Sequence, residues 1–212
     1  AWKYQSIGLI ALFLGIFTFL ISRQTTKQLK DLLIASSFSV YFTVIIGVFR
    51  FLFSQNIFWE IGIMVLFVIG LYSLFLLENV FLVTSTHKTV PLYRAAVTVG
   101  FLLTLVLGFL AYDIVFSFRL GPWLNSLWIL VSSFPLLYHF FWFINLSPSE
   151  TSRYWLPSFI LSLILAEVGV SMSFWPANTA KTALYLASLF YVFGGLAQAK
   201  AHEKLFKSTI RE

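Results

Sequence analysis

Seven apolar runs, each close to the length that crosses a bilayer as a helix, dominate the chain. They cover about Gln5 to Ser22, Leu32 to Phe53, Ile57 to Val83, Ala95 to Phe116, Pro122 to Asn145, Tyr154 to Trp175 and Thr179 to Ala197. A hydrocarbon core of about 30 Å takes roughly 20 helical residues. Repetition at that length predicts an all-α polytopic membrane protein, a bundle of seven transmembrane helices. Residues 1–197 form one membrane domain on this reading, and residues 198–212 a basic juxtamembrane tail. The first run follows Lys3 and is apolar, but it leads into Ser22-Arg23-Gln24-Thr25-Thr26-Lys27 rather than a small-residue cleavage pattern, so it reads as a span and not as a signal peptide.

Composition excludes the soluble alternative. The chain is 59% hydrophobic and 10% charged, against about 25% charged in soluble domains, and 212 residues enclose too little interior to hide that surface. The net charge of +6 does not point to nucleic acid, because the basic residues sit in the short connections between runs. Those connections, such as Gln55 and Asn56 or Trp175 to Asn178, and even Thr84 to Arg94 and Leu146 to Arg153, leave no room for a soluble catalytic domain.

Cytoplasmic loops retain the excess of lysine and arginine. With the amino terminus outside, the inner face carries Arg23, Lys27, Lys30, Lys88, Arg94, Arg153, Lys200, Lys204, Lys207 and Arg211, and the outer face Lys3, Arg50, Arg119 and Lys181. The carboxyl terminus is therefore expected inside, in a bacterial cytoplasmic membrane. Trp2, Trp59, Trp123 and Trp175 at outer ends, and Trp142 and Trp155 near inner ends, agree with interfacial aromatic belts. Lys200, Lys204, Lys207 and Arg211 are candidate contacts for anionic headgroups, at about 1 kcal/mol each.

The layout resembles that of microbial rhodopsins and seven-span receptors, but a retinal Schiff base needs a lysine midway along the seventh helix. The lysine there, Lys181, stands at its outer entrance. The chain has no H-E-x-x-H, G-x-S-x-G, P-loop or dinucleotide fingerprint. Cysteine is absent, and one carboxylate with one histidine is too small a set for a metal. No catalytic residue, metal or cofactor is assigned.

What needs explaining is a set of intramembrane polar groups. Glu167 lies about 20 Å from the inner end of the sixth run, where an acidic side chain costs about 2.5–3.5 kcal/mol. It is expected to face other helices, either as a proton- or cation-handling carboxylate or as a neutral glutamic acid hydrogen-bonded to a neighbour. Ser158, Ser162, Ala166, Gly169 and Ser173 in the same run make a small-residue ridge suited to close helix approach. Glu78 and His139, about 7 and 9 Å from the inner surface, form either a proton relay or an interfacial glutamate and a structural histidine. At the outer side, Arg50 and Asp113 are placed to pair across runs two and four, and Pro135 is placed to kink run five unless neighbouring groups compensate.

Three functions fit. The first is a non-enzymatic sensor, anchor or partner-binding module, whose partners are the bilayer and either other membrane subunits or a cytoplasmic continuation. The second is a small-solute or proton-coupled transporter using Glu167. The third is a lipid-acting intramembrane enzyme using Glu78 or His139.

Overall fold

The computed structural model describes residues 13–16, 20, 29–53, 56–86, 92–144 and 154–209, with side chains for 13–16, 20, 31–53, 56–84, 92–144 and 154–198. Six long helices follow one another: α1 Leu29–Phe53, α2 Ile57–Thr86, α3 Tyr93–Ser117, α4 Pro122–Ile144, α5 Trp155–Ser173 and α6 Thr179–Thr209. No strand occurs among the described residues. This follows from the solvent, because hydrocarbon offers no partner to a backbone N–H or C=O and a helix satisfies both within one segment.

All six helices are long and apolar enough to cross a membrane. Of the first run, residues 13–16 and 20 are helical and the rest lies outside the described residues, so six of the seven expected spans are seen. Their large apolar side chains point outward to a degree no soluble protein shows: along α2 alone Ile61, Met64, Leu66, Val68, Ile69 and Tyr72 are exposed. The chain is a membrane-embedded helical protein.

The helix ends have local causes. Gly121 precedes Pro122, whose fixed φ suits the first position of a helix, and α4 starts there. Arg119, in the turn before it, takes a φ of 49°, the left-handed region that a side chain enters only where a tight reversal requires it. Pro176 follows α5 closely and prevents its continuation. At the start of α6 the Asn178 carbonyl accepts from the Thr182 amide at 3.1 Å and from the Thr182 hydroxyl at 2.9 Å. The helix α4 runs through Pro135 without interruption. The helix α6 outlasts the apolar run, which ends in the sequence at about Ala197, and continues to Thr209.

Contacts gather into two compact units, Ala1–Leu103 and Thr104–Glu212, with α3 running through the boundary. In the first, α1 packs on α2, with Phe42 stacked on Phe67 at 5.9 Å and its ring against Gly70. In the second, α4 and α5 lie against each other along their length. The Ser158, Ser162, Ala166 and Gly169 ridge is buried in that seam, as small residues at a membrane helix interface should be. At Gly169 an added Cβ would overlap Ile129 Cδ1. Leu136, Leu137, Phe140, Phe143, Leu165 and Phe190 complete this core.

Candidate functional site

Glu167 is the one charged residue in α5, and it departs from the expectation that it faces other helices: it is exposed. Successive residues of a helix are turned by about 100°, which puts Glu167 on the side of α5 opposite the buried ridge. The same side carries Leu156, Ile160, Leu163, Ser171 and Phe174, all exposed. At 1.5 Å per residue, Glu167 stands about 9 Å inside the Ser173 end of α5 and about 18 Å from its Trp155 end. A carboxyl group thus stands within the hydrocarbon span, on a large-residue face that no described helix covers.

The first unit buries its own carboxyl group. Glu78 on α2 is 2% exposed, not an interfacial glutamate reaching for water. The Ser39 hydroxyl of α1 donates to it, lying 3.2 Å from Oε1 and 3.3 Å from Oε2. Thr43, one turn on, donates to the Ser39 carbonyl at 2.9 Å within α1, and the Ser39–Glu78 contact is what links α1 to α2. At the far end of these two helices Arg50 pairs with Glu60 at 3.6 Å, both partly exposed. The short connection between the helices brings Glu60 within reach of Arg50, and Asp113 is described with the second unit, to which it belongs.

The second unit holds the remaining polar groups. His139 on α4 is buried, its ring 5.6 Å from that of Trp142 and 5.5 Å from that of Phe143. Because Glu78 lies in the first unit, each of the two is described by its own surroundings, Ser39 for Glu78 and an aromatic cluster for His139. Asp113 near the end of α3 is also buried, and among the described residues its Oδ1 has no hydrogen-bond partner.

Three further links have no counterpart in the sequence reading. The Tyr112 and Ser133 hydroxyls lie 2.8 Å apart and join α3 to α4. Asn125 Nδ2 donates to Ser173 Oγ at 3.1 Å, and the Ser126 hydroxyl donates to the Ala166 carbonyl at 3.0 Å, both across the α4–α5 seam. Among the described residues Asn125 Oδ1 is buried without a partner. Asn125 and Ser126, adjacent polar residues one turn inside a mostly apolar run, were the available signal.

Lys200, Lys204 and Lys207 fall on the last turns of α6, with side chains outside the described ones, and Arg211 lies outside the described residues. Among the described residues no three histidine, aspartate or glutamate side chains gather as a metal site would require.

Compared with known proteins, residues 24–212 match the model of one family, described as a protein of unknown function (DUF5656). No curated protein and no solved structure matches the chain.

Proposed function

Because the chain belongs to the family DUF5656, whose function is not known, kinship transfers no activity to it, and we propose from its own chemistry that it is a non-enzymatic, membrane-embedded partner-binding module. It sits in a cytoplasmic membrane with the amino terminus outside and the carboxyl terminus inside, as the distribution of basic residues favours. Lys200, Lys204, Lys207 and Arg211 then meet the anionic inner leaflet.

The observation that carries this reading is the exposure of Glu167 about 9 Å inside one end of α5. Left against lipid, an acidic side chain near the helix centre costs about 2.5–3.5 kcal/mol, and a second membrane helix offering a hydrogen bond removes much of that cost. An apolar residue there would cost nothing, so the carboxyl group has use only when something meets it. A photo-activatable residue at Leu163, on the same face, is expected to give discrete protein adducts in native membranes. Adducts to lipid alone would refute the reading.

A second reading, a small-solute or proton-coupled transporter, is favoured by a different pair of groups. Asp113 Oδ1 and Asn125 Oδ1 are buried acceptors that receive no hydrogen bond among the described residues, and a passing cation or protonated solute would satisfy either. It predicts that Asp113→Asn abolishes cation flux in reconstituted vesicles while the protein keeps its helicity. Wild-type vesicles no leakier than empty ones would eliminate it.

A further inference from the structure

We draw no further inference here: the strongest candidate, the buried acceptor atoms Asp113 Oδ1 and Asn125 Oδ1 in the second unit, belongs to the site already described, and nothing in the structure distinguishes a cation from a neutral hydrogen-bond donor as the group that would meet them.

Discussion

Replacing Gly169 by valine should destabilise the second unit by about 1–3 kcal/mol, the range for forcing extra carbons into a filled core. The first added carbon already overlaps Ile129 Cδ1, and Ile129 is fully buried. The seam has little slack on either side of this point. The Ser126 hydroxyl holds the Ala166 carbonyl at 3.0 Å, and Asn125 holds Ser173, itself bonded to the Gly169 carbonyl at 2.9 Å. Between helices in lipid, close packing replaces the hydrophobic drive available in water, so separating α4 from α5 forfeits contacts that the bilayer does not restore. Ile129→Ala alone should also be costly, by about 2–5 kcal/mol, because it opens a cavity. The two together should cost clearly less than their sum, since valine fills the space that Ile129 vacates. Denaturant titration of helicity in mixed micelles measures all three. Strict additivity would show that the two side chains do not compete for one space.

The second large effect is expected in the first unit. Ser39→Ala keeps the backbone and removes only the hydroxyl that Glu78 accepts from at 3.2 and 3.3 Å. With Glu78 2% exposed, water cannot take the place of that donor. The unmet group should cost about 1–3 kcal/mol. Adding Glu78→Leu to Ser39→Ala should recover most of the loss, because exchanging both partners for apolar groups is close to neutral whereas orphaning one is not. If the double variant is no more stable than Ser39→Ala, Glu78 does not depend on Ser39. An unchanged Ser39→Ala would mean that Glu78 finds another donor.

Element placement was legible because segment length carries the signal in membranes. The run Pro122 to Asn145 became α4 at Pro122–Ile144, and Ile57 to Val83 became α2 at Ile57–Thr86. The helical continuation of α6 to Thr209 was not legible from apolar length, since a polar, helix-favouring segment ends a hydrophobic run without ending a helix. The exposure of Glu167 was missed for a related reason. In α5 both faces are apolar, and what separates them is size, with serine, alanine and glycine inside and leucine, isoleucine and phenylalanine outside. That reverses the rule for soluble helices, so hydrophobic periodicity is silent. The phase of Glu167 relative to Ser158, Ser162 and Gly169, at about 100° per residue, was the readable clue. Arg50 with Glu60 was within reach of the same reasoning, because a tight hairpin makes its flanking charges neighbours. Ser39 with Glu78, 39 positions apart, needed the packed pair of helices.

The continuity of α6 has a mechanical consequence. Its 31 residues span about 46 Å at 1.5 Å each, so about 18 Å of helix stands beyond the apolar run that ends at Ala197. The place where this helix bends most readily is the Gly194–Gly195 pair, which lies inside the apolar run, so the segment that follows is carried on one continuous helix to Thr209.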